Sequence, residues 1–312
     1  MRLLTRLAAM FDGEGRGESG LGGHVATGAG PIHYLADGPR KGAPVVLLHG
    51  ASGNLRDWTL SIQPHLAREV PTIALDRPGF GHSRPARGPV WLLDAQARAL
   101  RAAVQALGHR RYFLCGHSYG GALALDWALR YPDEVLGVCT IGGVAMDWGG
   151  ALSGHYRLGG LPLVGLAVAR LAPLLGSDRR IAVGLERLFA PQPVPRGYAQ
   201  LVGAELALRP STFRINARAM HALHAQVVAN QPAYGRILCP VEIVHGEADT
   251  TVPASVHAEP LSQALPDVRL TLLPGVGHMP HHAAPGEVLA ALRRLRQRAG
   301  ATRPMADDLS AC

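Results

Sequence analysis

The sequence predicts an α/β fold, with a mostly parallel sheet that is covered by helices on both faces and interrupted by a helical insertion. Short apolar runs alternate with stretches of helical periodicity between residues 44 and 143, and again after residue 241. The runs are apolar throughout, which is typical of parallel strands buried on both faces. Between about 147 and 235 no such run occurs, and the pattern is helical with proline breaks. A helical block is therefore expected within the α/β domain.

The individual elements follow from this pattern. Residues 24–38 have two strand-like runs around a glycine turn, and the remaining predicted strands are buried runs at 44–50, 72–76, 112–115, 135–143, 241–246 and 268–275. The predicted core helices have apolar residues at helical spacing and cover 58–68, 91–107, 120–133, 254–265 and 286–298. Gly108 and Pro132 mark two of the helix ends.

Composition narrows the class of protein. A hydrophobic share of 47% and a charged share of 17% are ordinary for a globular chain that buries a core. The net charge of +8 comes from scattered arginines, without a basic run interleaved with aromatic residues, so no nucleic-acid partner is expected. The four cysteines are widely spaced, which favours neither a zinc site nor a disulfide scaffold. A reducing, cytoplasmic location is the simpler expectation.

Both ends of the chain differ from the middle. The amino terminus "MRLLTRLAAMF" is too short for a membrane span, and Arg6 interrupts its apolar stretch. No stable membrane insertion is expected, although peripheral association through this segment or the insertion is the alternative. The predicted organisation is a flexible segment at 1–23, a core at 24–146 and 236–300, a helical cap at 147–235 and a tail at 301–312. The oligomeric state is left open.

Gly116-His117-Ser118-Tyr119-Gly120 matches the pattern G-x-S-x-G. It lies after a predicted strand and before a predicted helix, where a sharp turn exposes a nucleophile. Glycines two positions before and after the serine allow the close backbone approach that such a turn requires. Ser118 is therefore the predicted nucleophile.

A serine hydroxyl needs a base to remove its proton and a carboxylate to orient that base. His278 in "PGVGHMPHH" follows the last predicted strand and is the preferred base, with His281 and His282 as nearby rivals. Asp249 in "VHGEADTTVP" follows the preceding strand and is the preferred acid, and Asp147 is the alternative.

Stabilising a developing oxyanion requires two hydrogen-bond donors. His49-Gly50 follows an early strand, so the backbone N–H of Ala51 is expected to point into the site. The N–H of Tyr119 is expected to supply the second donor.

Taken together, "HG" at 49–50, "DRPGFGHS" at 76–83, "GHSYGG" at 116–121, "HGEADTTVP" at 245–253 and "GVGHMP" at 275–280 resemble the α/β-hydrolase superfamily. The resemblance covers roughly residues 25–300 and is strongest to the esterase- and lipase-like members with a helical cap. It implies that residues 147–235 cover Ser118 and form the substrate pocket. Serine at position 118 argues against the relatives that use an aspartate nucleophile.

These observations predict a serine hydrolase that cleaves a small carboxylic ester with an apolar portion, without a metal or organic cofactor. Lactone, thioester or C–C bond hydrolysis with the same triad is the first alternative. A non-catalytic ligand-binding member of the fold is the second alternative.

Overall fold

The computed structural model describes residues 21–84, 86–150 and 178–302. Eight strands form one sheet: β1 (Leu21–Thr27), β2 (Gly30–Asp37), β3 (Val45–Leu48), β4 (Thr72–Leu75), β5 (Tyr112–His117), β6 (Val135–Ile141), β7 (Val241–Gly246) and β8 (Val268–Leu273). Their spatial order is β1-β2-β4-β3-β5-β6-β7-β8. β2 pairs antiparallel with both of its neighbours, and the strands from β4 to β8 in that order are parallel. This confirms the predicted fold class.

The helices of the core lie on both faces of the sheet. They are α1 (Arg56–Thr59), α2 (Gln63–Leu66), α3 (Leu93–Ala106), α4 (Tyr119–Arg130), α8 (Ala254–Ala264), α9 (Pro280–Ala283) and α10 (Pro285–Thr302). One apolar core joins α3, α4 and α8 to the sheet, and a second joins α1, α2 and α10 to its other face. Strand β3 serves both cores, because Val46 and Leu48 belong to the first and Val45 and Leu47 to the second.

Between β6 and β7 the described chain is helical. It contains α5 (Asp178–Phe189), α6 (Tyr198–Val202) and α7 (Pro210–Asn230), with 3₁₀ turns at Ala204–Leu208 and Gln231–Arg236. We call residues 178–236 the helical insertion. Residues 151–177 of the predicted cap, which include the apolar run at 160–176, lie outside the described residues.

Side chains of α7 connect the insertion to the core, and three of them donate hydrogen bonds to it. The Thr212 hydroxyl donates to the carbonyl of Gly79 (3.0 Å), and the Asn216 amide donates to the hydroxyl of Ser52 (2.9 Å). At the other end, the Asn230 amide donates to the Asp126 carboxylate (2.9 Å). The long helix is thus attached to the core at both ends.

Some boundaries differ from the sequence prediction. Strand β1 begins at Leu21, within the segment predicted to be flexible up to residue 23, because this stretch pairs with β2. The single helix predicted at 58–68 is divided into α1 and α2. Pro64 lacks the amide hydrogen needed to continue a helix, and the Ser61 hydroxyl donates to the Asp57 carbonyl (2.6 Å).

Membrane-spanning character is not found in the described part of the chain, where every helix is too short or too polar to cross a bilayer.

Candidate active site

Ser118 occupies a strained turn between β5 and α4. Its backbone has φ +54° and ψ −115°, in the region that residues other than glycine rarely adopt. Its amide donates to the Ile141 carbonyl (3.0 Å), which fixes the turn to β6. A Cβ added at Gly116 would lie 2.0 Å from the Gly120 carbonyl oxygen, and one at Gly120 would lie 2.1 Å from that of Leu48. Glycine is required at both positions because backbone atoms occupy the space of a side chain.

His278 and Asp249 are brought together at the carboxyl ends of β8 and β7. His278 Nδ1 lies 2.7 Å from Asp249 Oδ2, and both side chains are almost fully buried. The other carboxylate oxygen accepts from the amides of Thr251 (2.9 Å) and Val252 (2.8 Å). The carboxylate is therefore held rigidly with one oxygen available to the imidazole. His278 and Ser118 both line a single cavity of about 560 Å³.

The surroundings of Asp249 keep it ionised. Burial alone raises the pKa of this carboxyl, but hydrogen bonds from His245 and His278 outweigh burial and hold the pKa below its usual value. Asp249 therefore places a negative charge beside the His278 ring.

Asp147, the alternative acid, lies elsewhere. Its side chain is about half exposed, and its Oδ1 lies 2.7 Å from Nε2 of His224 on α7. This pairing directs the carboxylate to the surface of the insertion, and the dyad with His278 is formed by Asp249.

The rival histidines face a second buried carboxylate, that of Asp57. His281 Nε2 lies 3.0 Å from Asp57 Oδ2, and His282 Nε2 lies 2.8 Å from Oδ1. The Tyr198 hydroxyl of α6 also donates to Oδ1 (2.7 Å). Burial raises the pKa of Asp57, but the neighbouring His281 and His282 lower it well below its usual value. Sequence reasoning missed Asp57, because nothing near it in the chain indicates its partners.

The peptide group between Gly50 and Ala51 has a defined orientation. Its carbonyl oxygen accepts from the Arg77 guanidinium (2.8 Å) and lies 2.9 Å from His49 Nδ1. In a trans peptide the N–H points opposite to the carbonyl, so the Ala51 N–H points away from Arg77. Ala51 and Tyr119 both line the cavity, and within the described chain neither amide has a protein acceptor.

Arg77 is a second residue that sequence reasoning did not single out, although it lies in the quoted motif "DRPGFGHS". It is fully buried, and its guanidinium also donates to the Gln96 side chain (3.1 Å). Its Cζ lies 4.0 Å from the ring centre of Phe80 and 4.2 Å from that of Tyr119. Burial lowers the pKa of Arg77 to about 10, so it is still a cation at neutral pH. Arg77 thus holds the Gly50 carbonyl with a rigid, charged donor.

A further buried histidine, His257 of α8, anchors the chain where β6 leads towards the insertion. Its Nδ1 accepts from the amides of Ala145 (3.3 Å) and Met146 (3.2 Å), and the side chain lines the cavity. Burial lowers the pKa of His257 to about 4. The ring is neutral at neutral pH, as an acceptor nitrogen must be.

The cavity has a volume of about 560 Å³ and lies between the core and the insertion. Ser118, His278 and Ala51 form part of its core side. Most of the insertion side is apolar and includes Ile181, Leu185, Leu188, Val202, Met220 and Leu223. Such a site combines a few polar groups with an apolar wall, as small-molecule pockets commonly do.

Comparisons with known proteins agree with this architecture. The profile of the alpha/beta hydrolase fold family matches residues 43–285. The chain is 30% identical to a dihydrolipoyllysine-residue acetyltransferase component of an acetoin cleaving system from Pseudomonas putida, over 94% of this chain and 75% of that protein. It is 28% identical to a putative carbamate hydrolase from Cronobacter turicensis, over 80% of this chain and 90% of that protein.

A thermophilic esterase from Thermogutta terrifontis has a similar structure, with a TM-score of 0.72 and 21% identity over 89% of this chain and 99% of that one. The chain belongs to the alpha/beta hydrolase fold family. Its class is that of a hydrolase enzyme, and the expected resemblance is confirmed at this level.

Proposed function

We propose that this protein is a serine hydrolase that cleaves small carboxylic esters with an apolar portion through an acyl-enzyme on Ser118. The observation that carries the proposal is the buried 2.7 Å contact between His278 Nδ1 and Asp249 Oδ2, at the cavity that Ser118 also lines. A carboxylate at Nδ1 fixes the tautomer that leaves Nε2 free to accept a proton.

In the proposed reaction, Ser118 Oγ attacks the ester carbonyl while His278 Nε2 takes the hydroxyl proton. The carbonyl π electrons move to the oxygen, which the N–H groups of Ala51 and Tyr119 stabilise. As the intermediate collapses, the C–O bond to the alcohol breaks and His278 returns the proton to the leaving oxygen. Water then attacks the acyl-enzyme by the same route, which releases the acid and regenerates Ser118.

The proposed substrate class rests on the cavity. Its apolar wall favours binding of a hydrocarbon portion, because burying apolar surface contributes about 25 cal/mol per Å². A volume of about 560 Å³ suits a small molecule rather than a polymer. The residues that line both sides of the cavity support a role for the helical insertion as the cap that selects the substrate.

A fluorophosphonate probe tests the nucleophile, because it phosphonylates an activated serine. We expect one labelled peptide, containing Ser118, and no labelling in Ser118→Ala. Ser52→Ala is the matched control, because Ser52 lines the same cavity and also has a positive φ, of 55°. It should label normally. Labelling of Ser118→Ala equal to that of the native chain would refute the proposal.

Hydrolysis of p-nitrophenyl esters of graded acyl length tests the substrate class. We expect an optimum at a short or medium chain, set by the size of the cavity. A parallel panel of lactones, thioesters and compounds that are hydrolysed at a C–C bond is the discriminating control. Faster turnover on any of these would replace the ester assignment while leaving the role of Ser118 intact.

A further inference from the structure

A second group of polar side chains lies beside the candidate triad and has no part in the proposed reaction. It consists of Asp57 of α1, His117 at the end of β5 and His281 of α9, all buried. Asp57 Oδ2 lies 3.0 Å from His281 Nε2 and 4.0 Å from His117 Nδ1, and no two ligand atoms of the group are more than 4.8 Å apart. We propose that these three side chains form a binding site for one divalent transition-metal cation, with Zn²⁺ the best match.

The donor set matches this class of cation. Two imidazole nitrogens and one carboxylate oxygen suit Zn²⁺ and related ions, whereas Mg²⁺ and Ca²⁺ prefer oxygen ligands alone. Ligand bonds of about 2.0–2.2 Å in a tetrahedral site place ligand atoms roughly 3.4 Å apart. The observed separations of 3.0 and 4.0 Å are on either side of that value.

His117 already has the tautomer that a metal ligand needs. Its Nε2 lies 2.9 Å from the backbone carbonyl oxygen of His278. A carbonyl only accepts, so Nε2 carries the proton and Nδ1 of the neutral ring has a lone pair. That lone pair and the negative Asp57 Oδ2 are 4.0 Å apart, an arrangement that a cation between them stabilises. An imidazole whose other nitrogen donates to a carbonyl is the usual arrangement around a bound metal.

Asp57 is likewise oriented by an outer shell. Its Oδ1 contacts the Tyr198 hydroxyl (2.7 Å) and His282 Nε2 (2.8 Å), which directs Oδ2 towards the two histidines. Ligating carboxylates are commonly held by such hydrogen bonds. Two of the three proposed ligands therefore have partners that fix their orientation.

His281 can release its contact with Asp57 without losing another hydrogen bond. Its Nδ1 is buried and has no hydrogen-bond partner among the residues that the structure describes. The single ring proton of neutral His281 moves from Nε2 to Nδ1, and the cation takes the place of that proton at Nε2. No proton leaves the ring, and no co-reactant is required.

The position of the site gives it access to the cavity. Asp57 and His117 both line the cavity that contains Ser118. Three protein ligands leave a fourth position for water or for a polar group of a bound molecule. The cation is not needed for the proposed attack by Ser118, so binding at this site is independent of the hydrolase proposal.

Direct measurement of metal binding tests the inference. The Ser118→Ala chain, freed of metal with a chelator, is titrated with Zn²⁺ against a chromophoric competitor, and Co²⁺ is added separately to record its ligand-field spectrum. We expect one cation per chain, a tetrahedral Co²⁺ spectrum and an affinity at least about tenfold weaker after His281→Gln. Because Ser118 is absent, the result does not depend on hydrolytic activity.

His224→Gln is the matched control, because His224 pairs with an aspartate, Asp147, away from the proposed metal site. This variant should bind Zn²⁺ with the same affinity as the Ser118→Ala chain that carries no further substitution. If His281→Gln fails to fold by circular dichroism, His117→Gln replaces it with the same expectation. Equal affinities with and without His281 and His117 overturn the proposal, as does the absence of binding, and the cluster is then only a hydrogen-bonded carboxylate.

Discussion

Replacing Arg77 with lysine tests whether the orientation of the Gly50–Ala51 peptide contributes to catalysis. The substitution keeps the positive charge but removes the planar fork that contacts both the Gly50 carbonyl and Gln96. A lysine ammonium reaches one of these groups at a time. It also lacks the flat surface that packs between Phe80 and Tyr119. The Ala51 N–H should therefore lose part of its fixed direction.

The magnitude follows from the contacts that are left. Losing an oxyanion donor outright costs about 10²–10³ in kcat. The Gly50 carbonyl keeps His49 Nδ1 at 2.9 Å, so the loss here should be partial. We expect kcat to fall by about 10- to 100-fold, which corresponds to about 1.4–2.7 kcal/mol. KM should change little, because the ground-state ester carries no oxyanion charge.

Steady-state hydrolysis of the preferred p-nitrophenyl ester measures both constants, and thermal unfolding checks that the variant is folded. Arg101→Lys is the matched control, because Arg101 also binds a side chain through its fork, that of Glu134, and packs on the Tyr131 ring (4.4 Å). It does not line the cavity. A folded Arg77→Lys enzyme with native kcat, or equal losses in the two variants, would refute the positioning argument.

Three further outcomes are expected. The pKa of His257 is lowered to about 4, below an unfolded value of 6.5, so its contribution to stability is complete above pH 6.5 and is lost as the pH falls towards 4. Protonation of His257 should account for about 2 kcal/mol of the free energy of unfolding lost between pH 7 and pH 5, measured by urea unfolding. The variant His257→Asn keeps a hydrogen-bond acceptor that does not titrate, so it should lose less stability over this pH range. Gly120→Ala places a Cβ 2.1 Å from the Leu48 carbonyl oxygen and should lower the free energy of unfolding by about 2–4 kcal/mol in the same assay; an unchanged value would contradict the close approach. Asp249→Asn should lower kcat by about 10⁴, whereas Asp147→Asn should change it by less than about threefold, and the reverse order would identify Asp147 as the acid.

The sheet, and the positions of the three candidate residues after its strands, were predictable because their signals are local. Each buried strand is a short apolar run, and Ser118, Asp249 and His278 follow such runs in sequence order. The contacts of His281 and His282 with a buried carboxylate were not predictable in this way. Their partner, Asp57, is more than 220 residues earlier in the chain, and only the folded protein brings them together.

Arg77 shows the same limit from another direction. In the sequence it is one arginine among many, and only its place in the motif "DRPGFGHS" distinguishes it. Its importance arises from its burial between the rings of Phe80 and Tyr119, and from the hydrogen bond that it donates to the carbonyl of Gly50, 27 positions earlier in the chain. Contacts of this kind depend on packing between elements, which composition and periodicity do not encode.

The attachment of α7 at both ends has a consequence for how specificity is altered. Thr212, Asn216 and Asn230 hold the helix to the core, while Met220 and Leu223 line the cavity. Polar attachment of the helix and lining of the cavity therefore use different positions of one helix. A library randomised at 220 and 223 alone would explore new acyl groups while the helix keeps its polar attachments, which makes α7 a natural starting point for engineering.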